Sequence, residues 1–473
     1  MKTARRIARN FLSLGVSEVI AKVLQLVIFI YIARIFGKTE FGKFGFALAF
    51  SMLIVIIADF GLNTLLVREL SRNKEKVRKY ISNALTIKIF LSMVAFFVAF
   101  LYLNFMNYAA DIRAVSYIMV LFVVLQSFTD LFYSVFRAFE KMYYEAMMKV
   151  LRMIVLTSLI FIMAINNGNL IVVISMFPLT ELFILSISLV ICIKNFTKLH
   201  FGFDIEFSKI LLKKSSFFCL SLIFTGLLLY IDVIMLQNFR GSDEVGVYTA
   251  AFNLLLGLTF IPLMFSYTVF PVFSRYFVSN KSLLRFAYKK SFEYMLILGL
   301  PISIGLFVYA RNIIALIYGP GYGGSIIILK VLCLMVALRF INIISGTALS
   351  SINRQGSRVF SQGIVAIINI VLNLLFIPKF GFIGAGIATM ISESFFIVMY
   401  SHFIIKYKLN FGILRLLVKP LIASATMALI IINIPDLLLG TIVGIISYLG
   451  VLIIIRTFKK EDKELLKRII KNR

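Results

Sequence analysis

Long apolar runs alternate with short polar breaks along almost the whole chain. A helix needs about 20 mostly apolar residues to cross the hydrocarbon core of a bilayer. Strands of a membrane barrel would alternate polar and apolar side chains, which the run LIVIIADFGL does not. The pattern predicts fourteen transmembrane helices, at residues 11–36, 41–67, 80–105, 114–139, 144–165, 170–193, 213–238, 245–275, 286–310, 325–351, 357–378, 382–406, 414–434 and 437–455.

Composition agrees with this pattern. Hydrophobic residues make up 61% of the 473 positions, and the mean hydropathy is +1.00, both above what a water-soluble chain can bury. No polar stretch is long enough to form a separate soluble domain. The three cysteines and two histidines form no metal-ligand or disulfide spacing. We therefore expect an all-α integral membrane protein with no catalytic residues, no structural metal and no cofactor beyond a bound Na⁺.

The net charge of +28 raises the question of nucleic-acid binding. Most of the 49 lysines and arginines fall in connections on one side of the membrane, such as RELSRNKEKVRKY and RYFVSNKSLLRFAYKK, if the N-terminus is cytoplasmic. Cytoplasmic loops carry such an excess. The charge therefore predicts cytoplasmic N- and C-termini, with no nucleic-acid partner. The basic tail, residues 458–473, is expected either to lie on anionic membrane lipid or to form a solvated helix.

One polar connection occurs twice. GKTEFGKFGFA, residues 37–47, and GSDEVGVYTAA, residues 241–251, share two glycines, a glutamate and an alanine at one constant offset. The copies join helices 1 to 2 and 7 to 8, so the repeat is six helices long and its two copies run parallel. Chance similarity is the alternative. The duplication predicts an N-terminal six-helix bundle at 1–200, a C-terminal six-helix bundle at 201–408, two additional helices at 409–457 and the tail.

Four segments resemble a known family: DFGLNTLLVRELSR (59–72), FRAFEKMYYEA (136–146), IYGPGYGGSIIILKVL (317–332) and NIVLNLLFIPKFGFIGAGIATMISE (369–393). They are similar to the polysaccharide-transport family of lipid-linked oligosaccharide flippases, in the multidrug/oligosaccharidyl-lipid/polysaccharide (MOP) exporter superfamily. The resemblance implies two bundles that form a V around a central cavity. It also implies a transporter that moves polyprenyl-diphosphate-linked sugars outward, with glycan-assembly enzymes as candidate associates. The lipid chemistry favours a prokaryotic plasma membrane, and a monomer suffices because the expected cavity lies inside one chain.

Several charges lie within predicted helices, where each costs about 2.5 to 3.5 kcal/mol unless it faces a cavity or a partner. Cations there can bind a diphosphate, and Arg can do so with two parallel hydrogen bonds. The candidate substrate-binding residues are Lys22, Arg339, Lys88, Arg152 and Lys330, with Glu18 and Gln25 on the same face of helix 1 as Lys22. The alternative is that they form ion pairs that only hold helices together. Pairing of Lys88 with Glu293 and of Asp130 with Arg339 is expected in that case.

A second group of residues offers oxygen ligands to a hard cation: Asp232, Asn369, Asn373 and Thr389. Peptidoglycan-lipid flippases are similar in placing a sodium site among helices 7, 11 and 12. In those proteins one member of the helix 11 pair is usually acidic, whereas here both are Asn. Asp59, an acid within helix 2, is a further candidate for ion coupling. Simple hydrogen bonding of the Asn side chains between helices is the alternative.

The sequence thus favours a flippase that works by alternating access coupled to Na⁺ or H⁺. A cation-coupled multidrug exporter of the same superfamily is the first alternative, although it favours an acidic and aromatic cavity rather than central cations. A membrane glycan polymerase or ligase is the second. Such enzymes need a sizeable outer loop or an acid pair, and the connection Arg311 to Gly324 is short and carries no acid.

Overall fold

The computed structural model describes residues 2–165, 168–197 and 204–457, and within these ranges the chain is helical, with no strand. The predicted basic tail, residues 458–473, lies outside the described residues. Fifteen α-helices are present, at Lys2–Asp59 (α1), Leu62–Arg72 (α2), Val77–Phe105 (α3), Ala110–Ala138 (α4), Tyr143–Ile165 (α5), Leu170–Asn195 (α6), Ile205–Arg240 (α7), Ser242–Leu258 (α8), Phe260–Ser279 (α9), Lys281–Val308 (α10), Ala310–Tyr318 (α11), Gly323–Ser351 (α12), Gln355–Lys406 (α13), Ile413–Ile431 (α14) and Leu437–Ile454 (α15).

The predicted spans all lie on these helices, which confirms the all-helical membrane class. Of the described helices, 11 are long and apolar enough to cross a membrane. The prediction of fourteen differs because α1 and α13 each carry two predicted spans, joined at Gly37 and at Gly381, and because the apolar part of α14 is short. Two predicted spans are interrupted. The second breaks at Phe60 and Gly61, whose φ angles are 47° and 75°, and the eighth breaks at Thr259.

The Cα positions group the chain into two compact units. The first comprises Met1–Thr249 and Asn373–Gly381, and the second comprises Ala250–Leu372 and Phe382–Arg473. Residues 201–249, which we assigned to the C-terminal bundle, belong to the first contact unit. These units reflect packing and not sequence duplication, so the bounds of the predicted six-helix repeat remain a prediction.

The two copies of the repeated connection have the same backbone conformation and contact each other within the first unit. Gly37 has φ 74° and ψ 178°, and Gly241 has φ 83° and ψ −178°, a combination that L side chains avoid. A Cβ atom at Gly42 would overlap the carbonyl oxygen of Ser242, and one at Gly246 would overlap that of Lys38. The two contacts are equivalent, because the constant offset relates Gly42 to Gly246 and Lys38 to Ser242. The two copies therefore meet through the same surface, by a local two-fold relation. We call this contact the crossing.

The start of α7 is attached to α3 by one acid. Asp204 is the N-cap of α7 and accepts a hydrogen bond from the backbone N–H of Phe207, while Lys79 on α3 lies 2.8 Å from its carboxylate. The hydrogen bond from Lys79, followed by that from Phe207, lowers the pKa of Asp204. Because this pKa is below that of the unfolded chain, the contact stabilises the fold above the unfolded pKa, near 4, and is lost as the pH falls through the folded value.

The last two predicted spans form a helical hairpin. Residues 432–436 separate α14 from α15, and Asp436 caps α15 by accepting from the backbone N–H of Leu439. The Tyr309 hydroxyl, between α10 and α11, donates to the carbonyl oxygens of Ile431 and Ile434, at 3.1 and 3.0 Å. The Ile431 carbonyl also accepts from the backbone N–H of Ile434. The Tyr309 hydroxyl therefore attaches the end of α14 to the junction of α10 and α11 within the second unit.

Replacing either crossing glycine with alanine is expected to destabilise the protein. Gly42→Ala and Gly246→Ala each place a methyl group against a backbone carbonyl, which can move only with its helix, so a loss of about 1 to 3 kcal/mol is expected. Gly257→Ala in α8 is the matched control, because nothing lies within 4 Å of its added Cβ. Thermal unfolding in detergent measures the difference. Equal melting temperatures for the three variants would contradict the close crossing.

Candidate functional site

A cavity of about 390 Å³ lies inside the first unit, among α1, α2, α4, α5 and α6. Its wall includes four of the predicted substrate-binding residues: Glu18, Lys22, Gln25 and Arg152. Five further polar residues of the wall are absent from the predicted set: Asn63, Gln126, Asp130, Arg137 and Lys149. Phe29, Phe122 and Phe177 supply part of the apolar remainder. The cavity therefore combines charged groups with an apolar surface.

Lys22 is the most accessible cation of this wall. It follows Glu18 by one helical turn on α1, and its Nζ donates to Gln25 Oε1 at 3.1 Å. No acid among the described residues forms an ion pair with it. The predicted helical face of Glu18, Lys22 and Gln25 is thus confirmed as a shared face on one cavity. Its role in substrate binding remains a prediction.

Arg152 is anchored from behind by buried groups. Its NH1 donates to Glu181 Oε2 at 3.1 Å, and Glu181 Oε1 accepts from Thr129 Oγ1 at 2.6 Å. Glu181 is fully buried. Arg152 Nε has no hydrogen-bond partner among the described residues. The arginine is consequently held in place at NH1, and its Nε is buried.

A chain of ion pairs connects α4, α5 and α1 on another side of the cavity. Arg137 binds Glu145 with two hydrogen bonds, of 2.7 and 2.6 Å. Lys149 lies 3.1 Å from Glu145 and 3.1 Å from Glu18. The sequence carried a signal for part of this cluster, because Glu145, Lys149 and Arg152 follow at i, i+4 and i+7 on one helical face. Single charges deep within the predicted spans do not reveal this cluster, because its members are recognised only as pairs.

Lys88 is placed differently from the prediction. It is completely buried, and its ammonium donates to Asp59 Oδ1 at 2.8 Å, Asn63 Oδ1 at 3.1 Å and the Ser127 carbonyl at 2.9 Å. These three bonds use all three ammonium donors. Asp59, a candidate for ion coupling, is thereby held by Lys88 at the break between α1 and α2. Lys88 is not part of the cavity wall.

The expected pairs of Lys88 with Glu293 and of Asp130 with Arg339 are wrong. Lys88 pairs with Asp59, and Glu293 lies 3.1 Å from Lys290 on its own helix. Arg339 lies 3.6 Å from Glu393. Lys88, Glu293 and Arg339 each have a nearby oppositely charged side chain within their own unit, so a distant partner is not needed.

The remaining predicted cations belong to the second unit. Arg339, on α12, is linked to Glu393, which also accepts from Asn342 at 2.9 Å. Lys330 is exposed, with its Nζ 5.5 Å from the centre of the Phe307 ring. Their assignment to the substrate site remains a prediction.

The predicted cation ligands are likewise divided between the units. In the first unit, Asp232 is buried and accepts from Asn373 Nδ2 at 2.6 Å and from the Tyr248 hydroxyl at 2.9 Å. Tyr248 was not predicted. In the second unit, Asn369 is buried, and Thr389 Oγ1 donates to the Ala385 carbonyl at 3.0 Å. No group of three or more His, Cys, Asp or Glu side chains suited to a metal occurs among the described residues.

Many long apolar helices and a charged cavity among them are the features of a multi-span membrane transporter. The chain belongs to the family described as "Polysaccharide biosynthesis protein", whose model matches residues 7–277.

Two relatives come from Haloferax volcanii. The chain is 22% identical to "Probable low-salt glycan biosynthesis flippase Agl15" over 408 residues, 84% of this chain and 83% of the relative. It is 28% identical to "Probable flippase AglR" over 167 residues, 34% of this chain and 35% of the relative.

Solved structures show the same fold. "Lipid II flippase MurJ, inward closed conformation" matches with a TM-score of 0.80 at 17% identity, over 94% of this chain and 99% of that one. An inward-facing multidrug resistance MATE family transporter of the MOP superfamily matches with a TM-score of 0.68 at 15% identity, over 80% of this chain and 93% of that one. The chain is therefore a member of the polysaccharide biosynthesis family that has the fold of these transporters. The names are those of flippases and transporters and not of enzymes.

Removing the Lys88 ammonium is expected to destabilise the first unit strongly. Lys88→Met leaves the Asp59 carboxylate without its cation, which costs about 3 to 5 kcal/mol for a buried pair. The double variant Lys88→Met, Asp59→Leu is expected to recover most of the loss. Lys38→Met is the matched control, because its pair with Asp243 is exposed and contributes at most about 1 kcal/mol. Chemical unfolding in detergent gives the values, and a Lys88→Met variant as stable as Lys38→Met would refute the assignment.

Proposed function

We propose that this chain moves a polyprenyl-diphosphate-linked oligosaccharide from the cytoplasmic to the outer leaflet by alternating access. The cavity of the first unit carries the proposal. Its wall presents Lys22, Arg137, Lys149 and Arg152, four cations on three helices, together with apolar side chains. Charge-assisted hydrogen bonds to phosphate are strong where water is scarce. A diphosphate headgroup is the glycolipid feature that such a wall recognises.

Lys22 makes the first contact with the diphosphate in this proposal. Its ammonium has no acidic partner in the described chain and shares only one hydrogen bond, with Gln25. The substrate therefore gains the attraction of Lys22 without breaking an ion pair. Arg152, on α5 of the same wall and held at NH1 by Glu181, is the second cation of the proposed site. Sugar hydroxyls contact neutral polar groups such as Asn63 and Gln126 on the same wall.

The relatives support this substrate class. Agl15 is named a glycan biosynthesis flippase, and MurJ a lipid II flippase. Both names denote transport of a molecule that bears sugar across a membrane. The cavity is lined by residues of one chain, so a monomer is sufficient for the proposed step.

Neutralising Lys22 is expected to abolish translocation of a fluorescent lipid-linked oligosaccharide in proteoliposomes. Lys22→Met keeps the length of the side chain but removes its charge, and a fall in initial rate of at least about tenfold is expected, which equals the loss of one charged hydrogen bond. Lys22→Arg is expected to keep most of the rate. Arg339→Met, predicted from the sequence, is expected to behave like Lys22→Met.

The matched control is Lys38→Met, on the same helix but outside the cavity wall, which should translocate like the wild type. Unchanged rates in Lys22→Met and Arg339→Met would contradict the diphosphate site. A wild-type protein that transports a cationic dye, but no glycolipid, would favour a multidrug exporter instead.

Asp232 is the proposed site of cation coupling within the first unit. Its buried carboxylate has two hydrogen-bond donors, Asn373 and Tyr248, and Asn373 also carries an amide oxygen that suits Na⁺. Rotation of this amide, with the Tyr248 oxygen beside it, would present a set of oxygens to the ion.

Sodium chloride is therefore expected to raise the melting temperature of the wild type relative to equal choline chloride. Asp232→Asn should lose this shift. Asp204→Asn is the control, because this exposed acid lies at the start of α7, away from Asp232, and should keep the shift. A wild type with no sodium-dependent shift would refute sodium coupling at Asp232.

A further inference from the structure

The cavity of the first unit contains balanced charge. Its wall carries four basic side chains, Lys22, Arg137, Lys149 and Arg152, and two acidic ones, Glu18 and Asp130. Two more acids form ion pairs with these basic side chains: Glu145 pairs with Arg137 and Lys149, and Glu181 pairs with Arg152. The described charges of the wall and of its direct partners therefore cancel. An anionic headgroup that enters this space meets no net positive charge.

Asp130 differs from the other acids of this cluster. Glu18, Glu145 and Glu181 each form an ion pair with a basic side chain. Among the described residues, none donates a hydrogen bond to the Asp130 carboxylate and none forms an ion pair with it. Asp130 belongs to the cavity wall and follows Gln126 by one turn of α4. It is the acid of this cavity that can change its charge without breaking a pair.

Charged groups surround Asp130 on every side of the cavity. Those that act on its carboxylate or share its cavity are Arg137 on α4, Lys88 on α3, Arg152 and Lys149 on α5, Glu181 on α6, and Glu18 and Lys22 on α1. The part of α2 on this wall is the uncharged Asn63. Arg137 and Arg152, which attract the Asp130 carboxylate in the empty cavity, are also the groups that would bind a diphosphate. Substrate and carboxylate thus compete for the same positive charge.

We propose that Asp130 takes up one proton when the diphosphate of the substrate binds. This inference rests on the proposed function. A diphosphate that links a lipid to a sugar carries two negative charges, and bringing them beside a carboxylate in a cavity with little water is unfavourable. A proton from solution removes this repulsion by binding to an oxygen of Asp130. No other bond forms or breaks, and the positive charge of Arg137 and Arg152 then acts on the phosphates rather than on Asp130.

The other acids are less suited to this role. Protonating Glu18 would remove one of the two partners of Lys149, and protonating Glu145 or Glu181 would leave a cation uncompensated inside the protein. Proton uptake at Asp130 has no such cost. Binding and protonation are therefore linked, and by reciprocity the substrate binds more tightly where protons are more available.

The test measures binding of a water-soluble, short-chain prenyl-diphosphate-linked sugar to the full-length protein in nanodiscs. Each phosphorus of this probe has one ester link, one anhydride link and a single strongly acidic P–OH, so the probe lacks the ionisation near pH 6 of a phosphate monoester and does not titrate between about pH 5.5 and 8.5. Isothermal titration calorimetry in buffers of different ionisation enthalpy counts the protons taken up. We expect one proton per probe in the wild type, and a Kd that rises by up to about tenfold per pH unit where Asp130 is charged.

Asp130→Asn and Asp130→Ala are expected to bind the probe with a Kd that no longer depends on pH and with no proton uptake. Their Kd should equal that of the wild type at the acid end of the range. Glu18→Gln is the matched control on the same wall, and it should keep the proton uptake of the wild type even if its affinity changes. Two variants at position 130 are used so that the test can proceed if one of them does not fold.

Each result decides one of the two claims. Wild-type binding without proton uptake would overturn the inference and leave the proposed function intact. Uptake that persists in both Asp130 variants would also overturn it. Absence of binding by the wild type at every pH would instead contradict the proposed diphosphate site, since the inference presupposes that site.

Discussion

A charge within a membrane-spanning bundle is stable only where another charge or a set of dipoles compensates it, and the described structure follows from this constraint. Lys88 donates its three ammonium hydrogens to Asp59, Asn63 and the Ser127 carbonyl, and so joins α3 to the break between α1 and α2. The cavity of the first unit follows the same principle, because Arg152 forms an ion pair with Glu181. Most charges of the site are thus paired with one another, while Lys22 and Asp130 have no ion-pair partner among the described residues.

The sequence predicted the helices well because their signal is local. A run of about 20 apolar residues indicates a membrane span whatever helices surround it. The repeated glycines likewise mark two positions, Gly37 and Gly241, that share one backbone conformation. The breaks at Phe60 and at Thr259 were missed. At the first, a deeply buried lysine holds the two helix ends together, and hydropathy does not record such a tertiary contact.

The site was predicted only in part, for a related reason. Helical spacing put Glu18, Lys22 and Gln25 on one face, and that face lines the cavity. Spacing does not give the partner of a charge, so Lys88 was assigned to substrate although it is fully enclosed by protein oxygens. Lys149 was not predicted because its importance comes from an ion pair with Glu18, which lies in a distant part of the chain. Partner choice depends on which helices pack together, and a single sequence carries little of that information.

The reciprocal crossing of the two repeated connections has an evolutionary consequence. Gly42 faces Ser242 while Gly246 faces Lys38, so a patch meets its own counterpart, as in the isologous interface of a C₂ homodimer. A half-length ancestor could have formed this contact between two separate copies before gene fusion joined them. After fusion the two glycines no longer mutate together, yet neither can acquire a side chain alone without pushing against the other copy. The sequence record of such an ancestry should therefore persist longest at this crossing.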